Sequence, residues 1–228
     1  MAVERRTYGD SCGIARGLDL VGDRWALLVI RELLFGPKRF TDLRAGLPNL
    51  GPDVLSQRLR DLETAGIVRR RKLPPPAGSR VYELTEWGTG LEPVLVALGR
   101  WGSSIPLGDS PAELSPDALA VALMSMFDRE AAAGVERRYR IVLGENEFSV
   151  VVQGGEMDVS RAADPSAPTT LTIETDPGTL TALLWHGADV DDALAGRAVR
   201  LEGSKRELAR FLRLFARPSR GPVPDLGD

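Results

Sequence analysis

Apolar and polar positions alternate with two different periods along residues 51–86. Leu55, Leu59 and Leu62 recur at the spacing of one helical stripe. Pro52 suits the first turn of that helix, and Gly66 suits a left-handed C-terminal cap. Asp53, Gln57 and Arg60 fall on the opposite face, with Ser56 beside them toward the N-terminal end. After Gly66 the period becomes two: Ile67-Val-Arg-Arg-Arg-Lys-Leu and Ser79-Arg-Val-Tyr-Glu-Leu predict two strands, separated by Pro74-Pro-Pro-Ala-Gly78, which cannot be helical. Arg69, Arg70, Arg71, Lys72 and Arg80 therefore crowd a hairpin, and Thr85-Glu86 reads as the start of a further helix.

Upstream, the pattern predicts helices at Ile14 to Val21, at Arg24 to Phe35 with Trp25, Leu28, Ile30, Leu33 and Leu34 mainly in the core, and at Phe40 to Ala45. Downstream, one helix is expected from Trp87 to Trp101. Its stripe of Leu91, Val94, Leu95 and Leu98, ending at Trp101, has no partner left in a small domain and points to a dimer contact. Pro106-Leu-Gly-Asp-Ser-Pro-Ala-Glu reads as a linker. Beyond it come a helix from Pro116 to Asp128 and strands at Arg138–Leu143, Phe148–Val152, Glu156–Val159 and Thr169–Ile173. A helix capped by Asp176 then runs through Trp185, and another capped by Ser204 runs to about Ala216. That order predicts an α+β layer domain with helices over one face of a sheet.

A helix followed by a basic two-stranded ribbon is how a winged helix-turn-helix meets DNA. Gln can bond adenine in two places, Arg can do the same to guanine, and a cationic ribbon attracts phosphate. The plainer alternative is a solvated charge run beside an ordinary surface helix. Lys38 and Arg39 precede the third helix, where side chains reach phosphate, although a structural salt bridge would equally explain Arg39.

Leu18-Asp-Leu-Val-Gly-Asp-Arg-Trp-Ala-Leu-Leu-Val-Ile-Arg-Glu-Leu-Leu-Phe-Gly36, Arg39-Phe-Thr-Asp-Leu43, Leu55-Ser-Gln-Arg-Leu-Arg-Asp-Leu-Glu63 and Tyr82-Glu-Leu-Thr-Glu-Trp-Gly88 resemble the HxlR-type winged helix-turn-helix transcriptional regulators over residues 8–102. The sequence departs at Gly13, where the family often has Pro after its cysteine, and at Asp23, where it commonly has a small residue; both are expected to lie off the DNA face. The resemblance implies a homodimer on double-stranded DNA. Ser56, Gln57 and Arg60 are expected to read the bases, Arg58 to bind DNA beside them, and Lys38, Arg39, Arg71, Lys72 and Arg80 to meet the phosphates. It also implies pairing of the Trp87–Trp101 helix with the partner's N-terminal helix. Cys12 stands near a cysteine used by thiol sensors of the family; the alternative for a lone cysteine at a helix start is a small buried hydrophobe.

Gly154-Gly-Glu-Met-Asp-Val159, Pro168-Thr-Thr-Leu-Thr-Ile173, Asp176-Pro-Gly-Thr-Leu-Thr-Ala-Leu-Leu-Trp185 and Val199-Arg-Leu-Glu-Gly-Ser-Lys-Arg-Glu-Leu-Ala-Arg-Phe211 resemble the sterol carrier protein-like fold over about residues 110–217. That resemblance implies a cavity for an apolar small molecule. Leu123, Met124, Phe127, Phe148, Val150, Leu184, Trp185, Phe211 and Phe215 are the candidate lining, and the alternative for each is plain core.

At 228 residues the chain is long enough for two domains, expected at 1–104 and 105–228. The first holds 16 Lys/Arg against 12 Asp/Glu and the second 13 against 20, so a net charge of −3 hides a basic front and an acidic back. Only the front suits nucleic acid. One Cys and one His cannot make an internal disulfide or a structural zinc site, and no cofactor motif is present. His186 follows Trp185 at a helix end without a companion nucleophile, which favours a dipole contact over chemistry. The N-terminus lacks the apolar segment of a signal peptide and no run is long enough to span a membrane, so a cytoplasmic protein is expected. The leading expectation is a ligand-responsive DNA-binding regulator rather than an enzyme. An apolar-ligand carrier whose winged domain serves only dimerisation is the alternative.

Overall fold

The computed structural model describes residues 7–75, 78–105, 113–161 and 167–217; all of the expected linker but Glu113, and residues 76–77 of the Pro-rich stretch, lie outside them. The chain divides into two compact units, Met1–Leu95 and Val96–Asp228.

In the first unit, α1 spans Gly13–Val21 and α2 spans Ala26–Leu33. Helix α2 starts two residues later than expected. Trp25 adopts left-handed φ of 78°, which breaks the helical run and leaves Ala26 as its first residue. Ala26, Val29, Ile30 and Leu33 are buried, whereas Leu28 is exposed and drops out of the expected core. Helix α3 (Phe40–Gly46) buries Leu43. Helix α4 (Pro52–Thr64) buries Leu55, Leu59 and Leu62, the stripe that the spacing predicts. It ends where Gly66 takes φ of 71° and the Ile67 N–H turns back to the Leu62 carbonyl at 2.9 Å.

Strands β1 (Val68–Lys72) and β2 (Arg80–Leu84) pair antiparallel, with Arg69 opposite Glu83, Arg70 opposite Tyr82 and Lys72 opposite Arg80. The backbone of Lys38 bridges to Tyr82 through two hydrogen bonds of 2.9 and 2.8 Å. Thr85 caps α5 (Glu86–Thr89), its hydroxyl accepting the Gly88 N–H at 3.1 Å.

The single helix expected from Trp87 to Trp101 is instead α5 and a separate α6, Glu92–Gly102. Pro93 has no N–H to offer the Thr89 carbonyl, so the helix cannot run through and begins again with Pro93 in its first turn. On α6, Leu95 belongs to the core of the first unit, which corrects its assignment to an outward stripe. Val94, Leu98 and Trp101 are 50%, 44% and 68% exposed.

The second unit contains α7 (Pro116–Met126), β3 (Arg137–Leu143), β4 (Asn146–Gln153), β5 (Glu156–Arg161), β6 (Leu171–Thr175), α8 (Pro177–Trp185), α9 (Val190–Ala195), β7 (Arg200–Glu202) and α10 (Lys205–Leu212). The sheet order is β5-β4-β3-β6-β7, and only the β3–β6 pair is parallel. Alternation puts Tyr139, Ile141 and Leu143 of β3, Phe148, Val150 and Val152 of β4, Val159 of β5 and Leu171 and Ile173 of β6 in the core. Helix α7 contacts β5 and α8, and α10 contacts β6.

Two helix ends fall short of expectation: α7 stops at Met126 and α10 at Leu212. Phe127 is extended and bridges Phe215, with the Asp128 N–H donating to Leu214 at 2.8 Å and Ala216 to Met126 at 2.7 Å, so both segments leave helix to pair with each other. Helix α9 and strand β7 were not expected; each is short, with three residues in β7. Asp176 and Ser204 cap α8 and α10 as expected, accepting N–H groups of Thr179 at 2.8 Å and Glu207 at 3.2 Å.

Candidate nucleic-acid interface

Burial of the Leu55, Leu59 and Leu62 stripe fixes which side of α4 faces outward. Gln57 and Arg60 are exposed there, and Ser56 is half-buried beside them. Their polar groups form a chain: Arg60 Nη2 donates to Gln57 Oε1 at 2.6 Å, and Gln57 Nε2 donates to Asp61 Oδ1 at 2.8 Å. Asp61 in turn lies 3.3 Å from Arg58 Nη1, which also pairs with Asp23. The Gln57 amide is thereby oriented before any partner arrives.

Arg58 differs from its neighbours. Its side chain is only 17% exposed, held between Asp23 and Asp61, so it is not the free DNA-binding group expected. The same contact corrects the expectation that Asp23 stands apart from the DNA face. Asp23 and Arg58 are far apart in sequence, and no local pattern joins them.

The wing root is largely neutralised. Glu83 receives Arg69 Nε at 2.8 Å and Arg71 Nε at 2.9 Å; Arg70 Nε lies 3.2 Å from Glu63, with its guanidinium 5.2 Å from the Tyr82 ring centre. Burial pushes the Glu83 carboxyl up, but the hydrogen bonds and charges of Arg71 and Arg69 outweigh it and hold the group below the usual carboxylate range. Toward the tip the pattern changes. Lys72 and Arg80 face each other across the ribbon, both exposed, and among the described residues neither has a carboxylate partner. Two like charges in register repel, and an anion between them relieves that repulsion.

Lys38 requires a second correction. Its ammonium lies 2.8 Å from Glu32, which is fully buried and also receives Arg31 at 2.8 Å; the Lys38 side chain is 14% exposed. A buried carboxylate needs such partners, so Lys38 is committed to the interior rather than to phosphate. Gly46 makes room for this group: a Cβ there would stand 2.2 Å from Glu32 Oε2. Arg39, by contrast, is exposed at the start of α3, where its backbone N–H donates to Asp42 at 3.0 Å. Asp23, Glu32, Glu63 and Glu83 are the residues that sequence reasoning missed. Only Glu83 had a readable signal, since strand register sets it opposite Arg69.

In the second unit, Leu123, Phe127, Phe148, Val150, Leu184, Phe211 and Phe215 are buried, and Met124 and Trp185 are half-buried. Several of them pack directly on one another. Phe211 packs edge-on against Tyr139 at 4.9 Å and Phe215 at 5.0 Å, and the gap among Leu119, Ala120, Leu123, Ile141, Leu143, Phe148 and Val159 has no room even for a water molecule. Of the side chains expected to line a cavity, Leu123 and Phe148 meet across that closed gap and Phe211 and Phe215 pack on each other, because alternation on β3 and β4 points large residues at the helices. Burial also pushes the Tyr139 phenol up. His186 is exposed at the C-terminal end of α8. Cys12 is exposed just before α1, not buried, and its N–H donates to Asp10 at 2.9 Å. Among the described residues no group of three or more His, Cys, Asp or Glu could hold a metal ion, and no helix is long and apolar enough to cross a membrane.

The HxlR-like helix-turn-helix family model matches residues 20–106, from the end of α1 through the wing and α6. The regulator YvaP of Bacillus subtilis is 38% identical over 88 residues, covering 39% of this chain and 82% of that protein. YodB of the same organism, a helix-turn-helix-type transcriptional regulator, is 39% identical over 82 residues, 36% of this chain and 73% of that one. The chain belongs to the HxlR-like family. A structure of YodB in reduced form is 34% identical, with a TM-score of 0.38, covering 42% of this chain and 94% of that one. As an HxlR-like protein the chain is a DNA-binding transcriptional regulator with a winged helix-turn-helix in its first half. The family model stops before α7, so the chain from α7 onward lies outside the matched region.

Proposed function

We propose that this HxlR-like regulator acts in the cytoplasm as a homodimeric repressor on a pseudo-palindromic operator. Residues 1–104 supply DNA binding and dimerisation, and residues 105–228 form a sterol carrier protein-like domain. The carrying observation is the outward face of α4, where Gln57 and Arg60 are exposed and mutually oriented while Leu55, Leu59 and Leu62 anchor the helix from behind. Gln57, Arg60 and Ser56 read base edges. Lys72, Arg80 and Arg39 hold phosphates, with Arg71 contributing less because Glu83 already engages it.

The dimer contact uses Val94, Leu98 and Trp101 of α6, spaced along one stripe, and Ile14 and Leu18 of α1, all exposed in the single chain. Two recognition helices related by a two-fold axis then meet half-sites about one helical turn apart. Leu98→Asp should give monomers in sedimentation; a fully dimeric variant would place the interface elsewhere.

An apolar small molecule is the proposed effector of the second unit. The gap beside Leu123 and Phe148 has no room even for water, so an effector entering there must displace packed side chains, and it shifts DNA affinity only by as much as it distinguishes two arrangements of the protein. Cys12, exposed and unpaired, is the proposed point of thiol control.

The deciding experiment selects binding sites from a randomised duplex pool, then compares isotherms for Gln57→Ala and Arg60→Ala on the selected and scrambled sequences. Each substitution should cost about 1–3 kcal/mol on the selected site and relax its specificity. Unchanged affinity and selectivity for both variants would remove α4 as the reading helix. The second reading, a carrier whose winged domain only dimerises, would then stand.

A further inference from the structure

We propose that Asp23 is a specificity-determining residue for DNA binding: it sequesters Arg58 of α4 and so lowers affinity for DNA of arbitrary sequence. This rests on the reading that α4 is the helix presented to DNA. Asp23 lies in the short segment between α1 and α2, and its side chain is 70% exposed while that of its partner is 17% exposed. Arg58 is thus drawn down against the domain, and the carboxylate stays at the surface.

The neighbouring contacts explain why one extra carboxylate decides the state of this cation. Arg58 and Gln57 both engage Asp61, Arg58 at 3.3 Å and Gln57 at 2.8 Å, so Asp61 divides its two oxygens between them. With Asp61 alone, Arg58 would keep one loose contact on the outer face of α4 and could reach a phosphate. With Asp23 added, it sits between two carboxylates. Burial of its Nε, which has no hydrogen-bond partner, shows how far the side chain is pulled in at the expense of its own hydration.

The consequence for recognition follows from the two kinds of contact a protein makes with DNA. A free guanidinium beside the reading residues adds a phosphate contact on every sequence alike, raising specific and non-specific binding together. Sequestering it leaves discrimination to Gln57 and Arg60.

The test needs no operator. Affinity for a mixed-sequence 30-base-pair duplex is measured against salt for the wild-type chain, Asp23→Ala, Arg58→Ala and the double variant. One released phosphate contact steepens the salt slope by about 0.9 and raises affinity about eightfold at 0.1 M salt. Asp23→Ala should show both changes, Arg58→Ala alone should show little change, and the double variant should return to the wild-type slope. A gain that persists in the double variant would overturn the proposal, since the effect would then come from the carboxylate's own charge. No gain in Asp23→Ala, with thermal melting showing a folded protein, would overturn it as well. The proposal fails separately from the reading of α4: Gln57→Ala and Arg60→Ala test that reading on selected sites, and they can retain their effects while Asp23→Ala has none.

Discussion

Leu55, Leu59 and Leu62 in the first unit and Tyr139, Ile141 and Phe211 in the second all remove large side chains from water, yet the two units differ in what that burial leaves outside. In the first, the buried stripe of α4 turns Gln57 and Arg60 outward, and the β1–β2 ribbon carries Lys72 and Arg80 to its tip. In the second, the inward faces of β3 and β4 meet the helices so closely that Leu123 and Phe148 close on a gap too small for water and Phe211 packs on Phe215. Polar residues on a packed helix remain available for recognition. Apolar residues facing a packed helix do not, unless the packing leaves a void, and whether it does is decided by volumes rather than by residue type.

The largest expected effects break one interior or the other. Phe211→Ala removes an aromatic ring packed edge-on against two others and should destabilise the second unit by about 3–5 kcal/mol in urea unfolding; a loss below about 1 kcal/mol would mean that this layer is loosely packed and able to admit a ligand. Glu32→Ala strands Arg31 and Lys38 around a vacated buried site and should cost a similar amount, about 3–5 kcal/mol, by the same measurement. Glu32→Leu should recover part of it if the charge, and not the shape, is what the interior requires.

Smaller effects belong to the surface. Lys72→Ala and Arg80→Ala should weaken all DNA sequences alike and each reduce the salt slope by about 0.9, without changing which site is selected. A sequence-dependent loss would move these residues from the phosphate to the bases.

The smallest effect concerns pH. Glu83 is held below the ordinary carboxylate range, so its contribution to stability is fully present above the unfolded-state pKa and is lost as pH falls through the lower folded-state value. Glu83→Gln should flatten that acid-side loss and steepen the salt dependence of DNA binding by freeing Arg69 and Arg71. An unchanged acid profile would show that the two arginines are not held by this carboxylate.

Helical spacing located α4 within a residue or two, and the change of period after Gly66 located β1 and β2, because both depend only on the pattern along a short segment. The same patterns could not divide α5 from α6, although Pro93 was visible, since a proline in a first turn and one in a helix interior look alike until the start of the helix is known. Nor did they expose the pairing of Phe127 with Phe215 that shortens α7 and α10.

Charge was the least legible property. The sequence alone determined that the front half is basic and which of its cations flank α4 and the ribbon. Only the tertiary structure decided which remain available: Glu32 takes Lys38, Asp23 takes Arg58 and Glu83 takes Arg69 and Arg71, leaving Arg60, Lys72 and Arg80 facing outward. Periodicity is a property of neighbours along the chain. An ion pair depends instead on distance through space and on burial, and folding sets both for residues such as Asp23 and Arg58 that no local pattern connects.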